Sequence, residues 1–294
     1  MTTLVQDEQN NPLGTLAALG TMPALDSPYL LTDEQITDYQ KQGFALLRGI
    51  ASTDEVAAYR PFITGLTDEF AKGYKPLEQR DTRGKAFIQL ANLWQKDEAV
   101  ARFTLSRRFA HIAAELMGVD GVRLYHDQAL YKEPGGGHTP WHQDQQYWPL
   151  DGVQCITLWM PLVDASADTG TMRFASGSQA LGYLGPQNIS DDSEVRFGQL
   201  IQDQDIAVHA VGTMQAGDAT FHNGWTLHGA PGNASLDTTR EVMTIIYFAD
   251  EGIISQPDTT TREKELSAWF PGLKPGDRAA SRLNPLIYHK EKLQ

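Results

Sequence analysis

Cysteine is nearly absent from this sequence, with Cys155 the single one among 294 residues. One thiol cannot close an intramolecular disulfide, so the fold takes no stability from the oxidising chemistry of secreted proteins. We therefore predict a protein of the reducing cytoplasm. Long apolar runs are missing too, because no window approaches the roughly 20 apolar residues that a membrane span requires. With no basic stretch ahead of an apolar segment near the N-terminus, we expect neither export nor a membrane partner.

Positive charge is also scarce. The chain has 37 Asp and Glu against 24 Lys and Arg, which gives a formal net charge of -13. No cluster of Lys and Arg offers a stripe that could follow a phosphate backbone, so nucleic acid is not an expected partner. The partner class that these absences leave is a small molecule.

The hydrophobic fraction of 41% can supply one large buried core, and the pattern changes along the chain. Residues 1–25 are polar and irregular, which predicts a flexible arm. Residues 31–118 predict helices, residues about 122–250 predict short strands, and residues 251–294 predict an extension with one short helix, Thr261–Phe270. Short strands that do not alternate with helices predict a mainly β fold with helical additions, a barrel or a sandwich.

Local signals place the first helices. Thr32 with Gln35, and Ser52 with Glu55, fit the capping box that begins a helix, and Gly43 supplies a stop. A third amphipathic helix is predicted from Asp97 to Met117. The predicted strands are Val122–Lys132, Cys155–Leu162, Thr171–Ala175, His209–Met214, Asp218–Phe221, Trp225–His228 and Val242–Phe248.

The most specific chemical feature is the pair His142 and Asp144, in the segment Pro140-Trp141-His142-Gln143-Asp144. Alternate residues of a strand point to the same face, so this strand would present an imidazole and a carboxylate to one ion. Most His-x-Asp tripeptides bind no metal, and two ligands do not make a site. A third ligand candidate is His228, which we place at the end of a strand, with Gly229 behind it.

Two histidines and one carboxylate occupy one face of an octahedron and leave three positions open, the arrangement of iron(II) oxygenases. Twelve residues after His228 comes Arg240, which opens the β-rich run to Phe248. A guanidinium on a strand beside such a site can hold a dicarboxylate by two hydrogen bonds. In another setting the same arginine is a strand-end charge.

These motifs, in this order and spacing, resemble the phytanoyl-CoA dioxygenase family of 2-oxoglutarate- and iron(II)-dependent oxygenases. The resemblance covers about residues 31–288, and Ser176-Gly177-Ser178-Gln179 departs from the Pro-Gly-Ser-His usual in the family. The segments that carry it are Leu31–Gln35 with Gly43-Phe44, His142-x-Asp144, Thr157–Asp164, Ala216–Asp218, and His228-Gly229 followed by Asn233, Ser235 and Arg240.

The resemblance implies a double-stranded β-helix, a jelly-roll and cupin-like core, within one oxygenase domain of residues 26–294. It implies iron(II) bound by His142, Asp144 and His228, and 2-oxoglutarate and O2 as cosubstrates. Its further implication is that a small group of residues binds 2-oxoglutarate, with Arg240 on the distal carboxylate. That group is Arg240, Gln128, Thr157 and Trp159. Because the metal carboxylate is present, the resemblance favours hydroxylation over halogenation.

Aromatic and histidine side chains near the predicted iron suggest a moderately apolar substrate whose unactivated C–H bond is hydroxylated. The candidates for substrate contact are Tyr147, Trp148, Trp225 and His222. Two other functions use the same ligands. One is a cupin-like metal-binding sensor that oxidises nothing, and the other is a zinc-dependent hydrolase with an activated water. Arg240 argues against the hydrolase, which needs no anchor for a dicarboxylate.

Overall fold

Most strands lie in the half of the chain that contains His142, Asp144 and His228. The structure, a computed structural model, describes residues 22–291. The strands among these residues are β1 Phe44–Leu47, β2 Ile88–Ala91, β3 Gly121–Tyr131, β4 Thr139–His142, β5 Cys155–Pro161, β6 Arg173–Ala175, β7 Val208–Ala210, β8 Ala219–Asn223, β9 His228–Ala230, β10 Val242–Ala249 and β11 Leu286–His289.

The strands form two antiparallel sheets. The large sheet has the order β1-β8-β5-β10-β3-β11, and β2 also pairs with β3. The small sheet has the order β4-β9-β6-β7. The predicted fold class, mainly β with helical additions around a jelly-roll core, is confirmed by this arrangement and by the structural neighbours described below.

Residues 22–291 also form α-helices. They are α1 Asp33–Gln42, α2 Thr53–Ala71, α3 Thr82–Ala86, α4 Glu98–Thr104, α5 Arg107–Met117, α6 Asp191–Asp203 and α7 Thr260–Trp269. Helices α1, α2, α4 and α5 cover one face of the large sheet, whereas α3 and α6 contact β4 of the small sheet. Both predicted capping boxes are present, at Thr32 and Ser52, and Gly43 ends α1 with a φ of 81°. None of the helices in residues 22–291 is both long enough and apolar enough to cross a lipid bilayer.

The main core lies between these helices and the large sheet, and β5 shows how the strands divide. Ile156, Leu158 and Met160 belong to the core cluster that also contains residues of α2, α4 and α5. The residues between them, Thr157 and Trp159, line a cavity on the opposite face. Alternation along a strand therefore directs every second residue to the dry core and the others to the cavity.

Of the predicted strand His209–Met214, only His209 and Ala210 belong to a strand, β7. Three further local predictions were wrong. The predicted helix Asp97–Met117 is two helices, because Ser106 interrupts it: its hydroxyl caps α5 through the Phe109 N–H and donates to the Leu25 carbonyl. The predicted strand ending at His228 is instead a turn followed by β9, which begins at His228; the Thr226 N–H closes the turn on the Asn223 carbonyl.

The third error concerns the pair His142 and Asp144. Only His142 is in a strand, because β4 ends there and Asp144 has helical dihedral angles of -69° and -45° at the start of a short 3-10 turn. Of the predicted arm, residues 1–21 lie outside the described residues. Leu25, near its end, is buried, and its carbonyl accepts the Ser106 hydroxyl.

Candidate metal centre and its cavity

The two histidines of the predicted triad lie on paired strands of the small sheet. His142 is the last residue of β4 and His228 the first of β9, and they are direct partners in the antiparallel register. Their rings lie 4.1 Å apart between centroids. The turn after β4 then brings Asp144 back toward both. Residues 86 positions apart in sequence thus converge because two strand ends are neighbours.

The ligand atoms converge on one point. The Nε2 atoms of His142 and His228 each lie 3.5 Å from Oδ1 of Asp144. One ligand atom from each of the three residues lies within 4.8 Å of the others, a spacing that can hold one metal ion. Two nitrogens and one oxygen, with no sulfur, suit an iron(II) site with open positions.

Backbone carbonyls fix the orientation of both rings. His142 Nδ1 lies 2.8 Å from the Pro140 carbonyl oxygen, and His228 Nδ1 lies 2.9 Å from that of Thr226. A carbonyl accepts only, so each Nδ1 carries the proton and donates it. The Nε2 of each neutral ring then has its lone pair free toward the metal position.

The second oxygen of Asp144 is held from the large sheet. The Thr157 hydroxyl donates to Oδ2 at 2.9 Å, and His222 Nε2 lies 3.2 Å from the same oxygen. Burial raises the pKa of Asp144, but the imidazoles of His228, His142 and His222 outweigh it and hold this pKa well below the ordinary value. Oδ1 is thus left to face the two ligand histidines, which favours a single carboxylate oxygen on the ion.

The second candidate ligand of the triad, His228, stays uncharged. Burial, reinforced by the neighbouring His142, lowers the pKa of His228 well below its ordinary value. Neutral imidazoles and an ionised carboxylate are the protonation states in which these side chains bind metal. Asp144 and His228 therefore have the protonation states of metal ligands before any ion is bound.

Gly229 follows His228 for a steric reason. A Cβ at this position would lie 2.7 Å from the Thr139 carbonyl oxygen on β4, closer than real contacts allow. The close approach of β4 and β9 sets the distance between the two ligand histidines, so the His-Gly sequence is part of the geometry of the site.

The triad opens into one cavity of about 500 Å³ between the two sheets, a size usual for small-molecule sites. Its lining includes nearly all of the predicted residues. The lining residues from the prediction are Gln128, His142, Asp144, Tyr147, Trp148, Thr157, Trp159, His222, His228 and Arg240. Trp225 is not among them, since its ring packs on Tyr183 at 5.7 Å between centroids.

Arg240 supplies a buried cation to this cavity. It is 2% exposed, and one terminal NH donates to the Gly170 carbonyl at 2.6 Å, while its Nε has no hydrogen-bond partner within residues 22–291. Burial lowers the pKa of Arg240 to about 9. A guanidinium buried without an acid is costly, and an anionic ligand would offset that cost.

The other predicted cosubstrate residues surround Arg240 and the triad. The guanidinium of Arg240 lies 5.2 Å from the centre of the Trp159 ring. Gln128 lies opposite Thr244 on β10, which lies opposite Trp159 on β5, so the three side chains form one row across the cavity floor. Gln128 accepts a hydrogen bond from Gln89 of β2.

Sequence reasoning missed part of the lining. The sequence analysis assigned no role at the site to four residues that line the cavity, which are His126, Glu265, Asn188 and Gln89. No local signal marks Glu265, because it lies on a charged helix that reads as a solvent-exposed element. Only the pairing of distant segments brings these residues together.

Comparison with known proteins agrees with the motifs. A family model described as phytanoyl-CoA dioxygenase matches residues 39–242. Phytanoyl-CoA dioxygenase 1 of Oryza sativa is 21% identical over 257 residues, which cover 76% of this chain and 90% of that protein. Ectoine dioxygenase of Stutzerimonas stutzeri is 23% identical over 239 residues, which cover 75% of this chain and 78% of that protein.

Solved structures show the same fold. The non-haem alpha-ketoglutarate-dependent carbocyclase SnoK from nogalamycin biosynthesis superimposes with a TM-score of 0.71 at 24% identity, over 89% of this chain and 100% of that one. EctD from S. alaskensis, solved with 2-oxoglutarate and 5-hydroxyectoine, gives a TM-score of 0.67 at 20% identity, over 87% and 90%. Likeness at this identity shows the fold.

The match of the family model extends over more than half of the chain, from the end of the first helix to just beyond Arg240. It confirms the predicted enzyme class, that of the 2-oxoglutarate-dependent non-haem iron dioxygenases. The three predicted metal ligands lie inside the matched segment and converge in space. This chain belongs to the phytanoyl-CoA dioxygenase family.

Proposed function

We propose that this protein hydroxylates an unactivated C–H bond of a small, moderately apolar metabolite, with iron(II) at His142, Asp144 and His228. One observation carries the proposal: the same cavity contains the triad of two histidines and a carboxylate and, beside it, the buried guanidinium of Arg240. This guanidinium has no acidic partner in the described part of the chain. With iron(II) and 2-oxoglutarate bound, such a site supplies an oxidant made from O2 and releases succinate and CO2.

Different residues of the chain would hold the metal ligands and the cosubstrate. The Pro140 and Thr226 carbonyls hold the ligand rings, and Thr157 and His222 hold the second oxygen of Asp144. Arg240 would bind the distal carboxylate of 2-oxoglutarate, with Trp159 beside it and Gln128 across the floor. Thr157, Trp159, His222 and Gln128 are fixed by strands of the large sheet, so the open positions on the ion would face a defined part of the cavity.

The substrate would occupy the rest of the cavity. Phe87, Tyr147, Trp148 and Ile246 give this part apolar and aromatic walls, which suit a moderately apolar molecule. His222 already contacts Asp144, so we assign it to holding that ligand. A cytoplasmic location remains a prediction from the single cysteine.

An anaerobic titration tests the proposal. Iron(II) and 2-oxoglutarate are added to the metal-free protein, and the visible metal-to-ligand charge-transfer band is recorded. We expect a band in the wild type, its loss in His228→Ala, and a weaker band in Arg240→Ala at equal 2-oxoglutarate. His209→Ala is the matched control, because this histidine is exposed on β7, away from the cavity.

A wild type that binds metal but gives no band would contradict the proposal and favour a zinc-dependent hydrolase. A wild type that gives the band but forms no succinate with any of a broad set of small molecules would instead favour the metal-binding sensor.

A further inference from the structure

A bulge in β3 turns two consecutive side chains, those of Tyr125 and His126, toward α7 at the end of the cavity that this helix closes. Ile246 of β10 pairs with His126, and the next residue, Tyr247, pairs with Leu124, so Tyr125 is the additional residue. In a regular strand Tyr125 and His126 would point to opposite faces. Here their ring centroids lie 5.0 Å apart, and both rings reach residues of α7.

Helix α7 forms the wall that these side chains meet. Thr261 and Glu265, one helical turn apart, both line the cavity. The Tyr125 hydroxyl donates to a carboxylate oxygen of Glu265 at 2.8 Å, and no lysine or arginine forms an ion pair with Glu265 in residues 22–291. Burial raises the pKa of Glu265, although the Tyr125 hydroxyl, the Trp269 indole and the charge of Arg83 lower it. A cation on a ligand would therefore stabilise the charged carboxylate.

Aromatic rings pack against Tyr125 and His126, the two residues of β3 that contact α7. The Trp148 ring lies 5.1 Å from that of Tyr125, and the Trp269 ring lies 4.8 Å from that of His126. Trp148 and Tyr147 both line the cavity. The faces of such rings attract cations, and the attraction grows where water is excluded.

The other charged residues of the cavity also indicate that the ligand at α7 is a cation. Apart from the triad and Arg240, the charged lining residues are Asp81, Arg83 and Glu265. Arg83 is exposed and donates to the side-chain oxygen of Gln89 at 3.0 Å, so solvent screens its charge. Asp81 caps α3 through the Gly84 N–H. Glu265 is the partly buried charge that is left to meet a ligand.

Helix α7 is fixed to the metal centre. Arg262, 2% exposed, donates from Nε to the Gln146 carbonyl at 3.0 Å and pairs with Asp151 and Asp258. Gln146 belongs to the turn that follows Asp144. The distance from Glu265 to the iron position is therefore set by the fold.

We propose that Glu265, together with the rings of Trp148 and Tyr147, binds a protonated nitrogen on the substrate and so selects amine-bearing small molecules. The inference rests on the proposed function, since it names the substrate class of that site. Binding of the nitrogen at α7 would hold the apolar part of the substrate between this wall and the iron position.

Isothermal titration calorimetry of the full-length protein, without added metal, tests the inference with two probes of similar shape, 2-phenylethylammonium and 2-phenylethanol. We expect the wild type to bind the ammonium ion at least about tenfold more tightly than the alcohol. Glu265→Gln, which keeps the shape and removes the charge, should abolish this preference. Glu263→Gln, an exposed acid of the same helix, should keep it.

A wild type that binds both probes equally, or neither, would overturn the inference, and this comparison needs no variant to fold. Equal preference in Glu265→Gln and wild type, with matching circular dichroism, would also overturn it. The charge-transfer band of Glu265→Gln with iron(II) and 2-oxoglutarate should equal that of the wild type. Absence of the band in the wild type would contradict the proposed function. A wild type that gives the band but has no preference for the ammonium ion would contradict only the role of Glu265.

Discussion

The two faces of the large sheet, formed by the same strands, have opposite chemistry. On the helix side, Ile156, Leu158 and Met160 of β5 are buried among apolar side chains. On the cavity side, the same strand presents Thr157 and Trp159 beside buried polar groups. Along β5 burial is complete on both faces, so what distinguishes the faces there is the polarity of the buried side chains.

The difference separates stability from activity. Apolar burial on the helix side stabilises the fold in proportion to area, by about 25 cal/mol per Å². On the cavity side, Arg240 has a buried Nε without a partner, and His222 Nδ1 also lacks one within residues 22–291. Such groups lower stability until a ligand meets them. Substitutions on the helix side should therefore change the free energy of unfolding, and substitutions on the cavity side should change ligand affinity or turnover.

The largest effect is expected on the cavity side, at a metal ligand. His142→Ala removes one of three ligands, and we expect turnover to fall by at least about a thousandfold, since a bound metal supplies several kcal/mol to the transition state. Succinate formation and bound iron measure it. Retention of more than a tenth of the activity would show that His142 is not a ligand, and unchanged urea unfolding of the metal-free protein is the control.

The second largest effect is expected at Arg240, the buried cation of the cavity. Arg240→Met should raise the Kd of 2-oxoglutarate about 100-fold, because losing one partner of a buried charge pair costs about 2–5 kcal/mol. The anaerobic charge-transfer titration measures this Kd. Arg240→Lys should recover part of the affinity, since it keeps the charge but not the two-pronged geometry. An unchanged Kd in Arg240→Met would place the cosubstrate elsewhere.

On the helix side, Leu158→Ala should lower the free energy of unfolding by about 2–5 kcal/mol, because it opens a void in a dry core. Urea denaturation measures the loss. The Kd of 2-oxoglutarate at a temperature where the variant is folded should match that of the wild type. A large change in this Kd with little loss of stability would break the division between the two faces.

The smallest effect is expected from Thr157→Val, which removes the hydroxyl that holds Asp144 Oδ2. Groups that orient a metal ligand usually contribute about 10–100-fold to metal affinity. Competition with a chelator of known affinity measures it, and Thr157→Ser should restore the wild-type value. If Thr157→Val and wild type bind iron equally, the hydrogen bond does not position the carboxylate.

The sequence was sufficient to predict a mainly β fold and to select the candidate ligand set, because periodicity indicates the strands, and side-chain chemistry, spacing and the family resemblance indicate the candidates. His142, Asp144, His228 and Arg240 were singled out by type and spacing, and they do line one cavity. The local reasoning was less accurate. Asp144 lies in a turn, not on the strand face that suggested it, and His228 begins a strand instead of ending one.

The far end of the cavity was not predictable for a physical reason. The bulge at Tyr125 depends on the pairing of β3 with β10, and a single strand pattern does not encode which residue is skipped. Glu265 reaches the cavity because Arg262 ties α7 to the turn after Asp144, about 120 residues earlier in the chain. Contacts between such distant segments are properties of the folded pair and have no local signature.

The attachment of α7 to the core has a consequence for how new activities arise in this scaffold. The three candidate metal ligands lie on β4, β9 and the turn after β4, whereas the wall facing them belongs to a separate C-terminal stretch joined through Arg262. Under the two proposals made above, substrate preference and oxygen chemistry are encoded in different parts of the chain. Randomising the cavity-facing positions of α7, with Arg262 kept, is a way to evolve altered selectivity while the oxidising centre is inherited intact.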